Sequence, residues 1–138
     1  MARLLAELDP CAYVLDPLPN MDVAGVDARL ASFVRLLREA HPQTPIVLME
    51  YLPATRIGGL VHASHHRTRV QTSAAMRDVH DRLTAAGMGG LHCFHTAGML
   101  GADGDATVDG IHPTDLGFVR IADALEPLLA QLIHGETR

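Results

Sequence analysis

The chain has no tryptophan, only 4% aromatic residues and just two cysteines. Each shortage removes a class of protein. Few aromatics and no basic stripe leave no stacking platform for bases, and a net charge of -5 opposes a phosphate backbone. Nucleic acid is therefore not an expected partner. Cys11 and Cys93 cannot build a disulfide framework, and each sits in an apolar run where a thiol behaves as a small hydrophobe. No apolar run approaches the roughly 18 residues of a membrane span. Residues 1–7 hold no apolar core of signal-peptide length. No membrane partner and a cytoplasmic location are the expectations that follow.

What is present suits one globular domain. The 138 residues are 48% apolar and 20% charged, enough apolar content for a core and too little charge for disorder. Residues 2–8 read as the tail of a helix, and 12–15 as a short strand. Asp16-Pro17-Leu18-Pro19-Asn20 follows as a loop, because two close prolines oppose both helix and ladder pairing. Val26, Leu30, Phe33, Val34 and Leu37 follow the 3.6 period and predict a helix over 24–40, capped near Asp22. Residues 45–50 are a near-continuous apolar run, the mark of a parallel strand covered on both faces. A helix over 67–86 stops at Gly87-Met88-Gly89-Gly90, and a third strand covers 91–94. A helix over 114–132, capped by Thr114, carries an apolar stripe of Phe118, Ile121, Ala122, Leu125, Leu128, Leu129 and Leu132.

Strands alternating with helices mean a parallel sheet with helices on its faces. In such sheets chemistry gathers where the carboxyl ends of strands lead into loops. Those loops cover 16–22, 51–66 and 95–113, so Asn20, Asp109 and His112 are expected on one edge.

Asp109-Gly110-Ile111-His112-Pro113 is the strongest chemical signal. An imidazole can accept a proton near neutral pH, and a carboxylate three residues away can orient it. A solvated turn would account for an isolated Asp-x-x-His. Gly110, Pro113 and a helix beginning at once favour function. An amide such as Asn20 at a strand end can donate to an oxyanion, although turn chemistry alone explains an Asn there.

His62, His65 and His66 lie beside Arg56, Arg67 and Arg69, which would repel a cation, so no metal site is expected from them. His92, Cys93 and His95 form a second weak cluster in which only Cys93 and His95 share a strand face. Ser32 and Ser73 fall inside helix patterns, and Ser64, in a loop beside histidines, is the only in-chain candidate. None looks like an exposed nucleophile.

Asp109-Gly110-Ile111-His112-Pro113-Thr114-Asp115-Leu116-Gly117 resembles the closing Asp-x-x-His block of SGNH-type (GDSL-like) serine esterases. Leu18-Pro19-Asn20-Met21 stands where that family ends a strand with Gly-x-Asn-Asp, and only Asn20 matches. The resemblance spans residues 4–132. It implies a flavodoxin-like three-layer α/β/α fold, truncated at the N-terminus, with 1–138 as a single partial domain. It implies His112 as general base, Asp109 as its orienting partner and Asn20 as oxyanion donor. The implied activity is hydrolysis of short acyl esters without a cofactor, acetylated carbohydrate being one candidate substrate.

The family's nucleophilic serine belongs to a Gly-Asp-Ser-like turn, and a second block supplies an oxyanion glycine. Neither block is found here, so no nucleophile is assigned and the chain alone is expected to be inactive. In a 2-1-3-4-5 strand order the absent first strand would pair with residues 12–15. That strand would then present a bare apolar edge open to self-association. A non-catalytic protein completed by a partner or second copy is the alternative, and a His-rich metal-binding module a third reading.

Overall fold

The computed structural model describes residues 1–52 and 63–135, with side chains given from residue 68 in the second segment. The elements are α1 (Ala2–Leu5), β1 (Tyr13–Leu15), a 3-10 turn (Leu18–Asn20), α2 (Val23–Ala40), β2 (Ile46–Met49), α3 (Ala63–Ala85), β3 (Leu91–Phe94) and α4 (Asp115–His134). The three strands form a parallel sheet in the order β1-β2-β3. Tyr13 aligns with Ile46, and Ile46 with Leu91, so all three strands start level. Carboxyl ends of all strands thus lie on one side, as the alternation of elements requires.

Each helix forms for a local reason. Asp22 caps α2 by accepting from Gly25 N at 2.7 Å. Val26, Leu30, Val34 and Leu37 then recur on one face and are all buried. They pack with Met76, Val79 and Leu83 of α3 against one face of the sheet, where Tyr13, Ile46, Leu48 and Leu91 point. Each such aliphatic side chain contributes about 1.5–3 kcal/mol on burial. Val47 and Met49 alternate to the other face and are also buried, so β2 is covered on both sides. α1 is tied to this core by Tyr13, whose hydroxyl donates to Leu5 O at 2.9 Å, and by the His41 ring 3.0 Å from Ala6 O.

The amino ends of β2 and β3 are joined by one side chain. Arg38 donates from one guanidinium nitrogen to the carbonyls of His41, Pro42 and Thr44, and from the other to Gly90. Thr44 immediately precedes the β2 approach and Gly90 immediately precedes β3.

Three sequence expectations are modified. The loop expected over 16–20 tightens into the 3-10 turn Leu18–Asn20, with Met21 N donating to Leu18 O at 3.2 Å. Prolines fit there because the first turn of a helix needs no N–H from them. α3 begins at Ala63 rather than near 67, and α4 continues through Pro127 to His134. The apolar stripe of α4 is not a closed core seam: Phe118 is 60% exposed and Gly117 is the helix's one buried residue. Periodicity says which side of a helix is apolar, not whether anything covers it, and α2 and α3 pack chiefly on each other. His62 lies outside the described residues, as do the side chains of Ser64, His65 and His66.

Candidate active site

Asp109 and His112 occupy a tight turn between β3 and α4, and the backbone explains why they meet. Thr107 and Pro113 form an antiparallel bridge, Val108 N donates to His112 O at 2.9 Å, and Thr114 N to Ala106 O at 3.0 Å. Gly110, at the tip, has φ +85°, a left-handed conformation that a side chain disfavours. Its N–H donates to Thr107 Oγ1 at 3.1 Å. Thr114 then caps α4 by accepting from Gly117 N at 3.2 Å, while its hydroxyl donates to Asp105 O at 2.8 Å. Gly117 is required where α4 crosses the turn, since a Cβ there would lie 2.1 Å from Ala106 O.

The pair itself is closely held. Asp109 Oδ1 accepts the backbone N–H groups of Ile111 at 2.9 Å and His112 at 2.8 Å. Oδ2 lies 2.6 Å from His112 Nδ1. The backbone N–H of His112, then its ring, then the N–H of Ile111 stabilise the carboxylate and hold the Asp109 carboxyl down to about 2. An ionised carboxylate only accepts, so Nδ1 carries the hydrogen and the neutral ring keeps its lone pair on Nε2. The His112 side chain is 76% exposed, which leaves that lone pair open to a reacting group.

Asn20 closes the 3-10 turn after β1, its N–H donating to Pro17 O at 3.2 Å. It lines a cavity of about 620 Å³ with Val14, Leu15, Met21 and Phe33. Its side-chain amide makes no hydrogen bond among the described residues. The structure thus joins Asp109 to His112, while Asn20 stands in the 3-10 turn that follows β1 and meets α3. The serine hydroxyls that are described serve the backbone: Ser32 donates to Arg29 O at 2.9 Å and Ser73 accepts from Tyr51 N at 3.1 Å.

Sequence reasoning missed a second cluster on the carboxyl edge. Glu50, directly after β2, is buried and pairs with Arg77 of α3. It also accepts from His95 Nδ1 at 3.0 Å and from Thr96 N at 3.4 Å. Burial alone would raise its carboxyl. The hydrogen bonds from Arg77, His95 and Thr96, with the Arg77 charge, outweigh burial and hold it below the ordinary value. A carboxylate ending an apolar strand run was the available signal.

Among curated proteins, none matches the chain. Solved structures do. One, assigned as a GDSL-like lipase from Bacteroides ovatus, shares 29% identity over 96% of this chain and 39% of its own, with TM-score 0.87. A salicylyl-acyltransferase from a tetracycline biosynthetic pathway shares 22% identity over 95% of this chain and 40% of its own, with TM-score 0.73. A peptidoglycan O-acetylesterase shares 19% identity over 85% and 34%, with TM-score 0.60. The chain therefore spans about two fifths or less of the length of these structures. The GDSL-like Lipase/Acylhydrolase family pattern matches residues 1–130. With a parallel sheet flanked by helices and an Asp109–His112 turn ahead of its last helix, the chain belongs to the GDSL-like lipase/acylhydrolase family.

Proposed function

We propose that this chain carries the acid–base half of a site that cleaves short acyl esters. His112 is the general base, Asp109 orients it, and Asn20 is an oxyanion donor. The observation that carries this reading is the 2.6 Å contact between His112 Nδ1 and Asp109 Oδ2, which fixes the tautomer and leaves Nε2 exposed. The nucleophilic serine this route needs is not found among these 138 residues, and an acetylated carbohydrate is a candidate substrate. Without that serine, acyl transfer by this route falls to the small residue left by any triad that lacks one member. The test is hydrolysis of p-nitrophenyl acetate by the purified chain and by His112→Ala. Slow turnover that drops in His112→Ala is expected, with no labelling by a fluorophosphonate. Equal rates in the two proteins would remove His112 from the reaction. Fast turnover with a labelled serine would place the nucleophile within the chain.

A second reading rests on β1. Among the described residues this strand pairs only with β2, its Val14 is 40% exposed, and its open side borders the 620 Å³ apolar cavity. A second copy of the chain, or a partner strand, would complete the sheet there by backbone pairing. Size-exclusion chromatography with light scattering distinguishes the cases. A concentration-dependent dimer that Val14→Lys returns to monomer supports this reading, and a monomer at every concentration counts against the second copy.

A further inference from the structure

A set of metal-binding side chains lies at the carboxyl ends of β2 and β3, independent of the Asp109–His112 pair. Strand register produces it. Met49 aligns with Phe94, so the next residues, Glu50 and His95, stand side by side, with Glu50 N donating to Phe94 O at 3.1 Å. Cys93, two residues before His95, shares its face. A Glu50 carboxylate oxygen, the Cys93 sulfur and a ring nitrogen of His95 all lie within 4.8 Å of one another. Glu50 is buried, Cys93 half-buried and His95 exposed, so the group is backed by the core and open on one side.

We propose that Glu50, Cys93 and His95 bind a zinc-like divalent cation, and that the Arg77 guanidinium takes the cation's place in the metal-free protein. Thiolate, imidazole and carboxylate are the donors zinc prefers, whereas magnesium and calcium require oxygen ligands alone. Ligand atoms around tetrahedral zinc stand roughly 3.2–3.8 Å apart, so small side-chain rotations bring these three into range. The exposed side supplies a fourth position for water and a path of entry.

Arg77 explains how the metal-free state is held. A buried carboxylate requires a positive partner, and Arg77 provides it. Its side chain is 41% exposed, so it can turn into solvent and yield that role to the ion. On binding, the Cys93 S–H bond breaks and its proton leaves to solvent as the metal–sulfur bond forms. His95 gives a ring lone pair, Glu50 is already ionised, and no electrons change hands.

The test is titration of the full chain with zinc against a chromophoric chelator, followed by cobalt(II) absorption. One zinc per chain and a thiolate-to-cobalt charge-transfer band are expected. Cys93→Ser and His95→Ala should each weaken binding by about tenfold or more, and Cys93→Ser should remove the band. Arg77→Gln, which removes the competing cation, should tighten binding several-fold. The triple change His62→Ala, His65→Ala, His66→Ala should leave affinity unchanged. Binding that survives Cys93→Ser and His95→Ala overturns the site. So does absence of the cobalt band in the unmodified protein, a measurement that depends on no variant folding. Weaker or unchanged binding in Arg77→Gln overturns the role given to Arg77.

Discussion

Asp109 and His112 hold each other twice: the carboxylate takes the imidazole on Oδ2 and the backbone N–H of the same histidine on Oδ1. Ring and main chain are fixed by one acid, so orientation of the base and shape of the turn are a single property. Removing the carboxylate loosens both at once.

Acid should therefore act on this turn. The Asp109 carboxyl sits at about 2, below its ordinary 3.8, because backbone and ring donors stabilise the ionised form. A depressed folded value adds stability above the unfolded value and loses it as pH falls through about 2. A carboxyl-carbon NMR titration should find the Asp109 midpoint near the bottom of that window. A midpoint at or above the ordinary value would contradict the geometry.

Gly117→Ala should destabilise the chain more than an alanine in a helix normally would. The new methyl meets a backbone carbonyl, which cannot turn aside as a flexible side chain can. Overpacking of this kind costs roughly 1–3 kcal/mol. Urea unfolding measures the loss, and the His112 ring signals should shift with it because Ala106 and Thr114 share the strained contact.

Stability should be uneven between helices. Leu37→Ala empties a fully buried site between α2 and the sheet and should cost about 2–5 kcal/mol. Phe118→Ser removes a larger but 60% exposed side chain and should change stability by less than about 0.5–1 kcal/mol. Comparable losses in both would mean that the α4 stripe is covered after all.

These contrasts mark how far the sequence could be read. The α2 period, its Asp22 cap and the strand runs were legible because each depends on neighbours within a few residues. The Asp109–His112 turn was legible for the same reason. The exposure of Phe118 was not, since it depends on what lies opposite α4. Nor was the meeting of Glu50 with Cys93 and His95, whose shared face was legible, because it requires the β2–β3 register to bring together Glu50 and His95, 45 positions apart in the chain. Local chemistry writes itself into sequence, whereas juxtaposition across a sheet depends on pairing.

The two cysteines should react at different rates. Cys11 is exposed, whereas Cys93 is half-buried and its thiol is pushed up to about 11, by burial first and by the Glu50 charge second. Thiolate is the reactive form, so iodoacetamide near neutral pH should modify Cys11 well before Cys93. Peptide mass spectrometry over a time course measures both. Equal rates would show that Cys93 is neither shielded nor held protonated.

The Arg38 guanidinium divides the sheet into two rims with different freedoms. On the amino side, one cation staples the approaches to β2 and β3, so those strands enter the sheet at a set height. On the carboxyl side, Glu50 with His95 and Thr96, and Thr96 with Tyr51 O, tie the exits of β2 and β3, whereas the exit of β1 has no side-chain hydrogen bond to either among the described residues. Chain length and residue type can therefore drift most freely at the exit of β1, while Arg38→Met would loosen the entries of β2 and β3. A scaffold fastened at both ends of one strand pair is free to vary its chemistry beside the third strand.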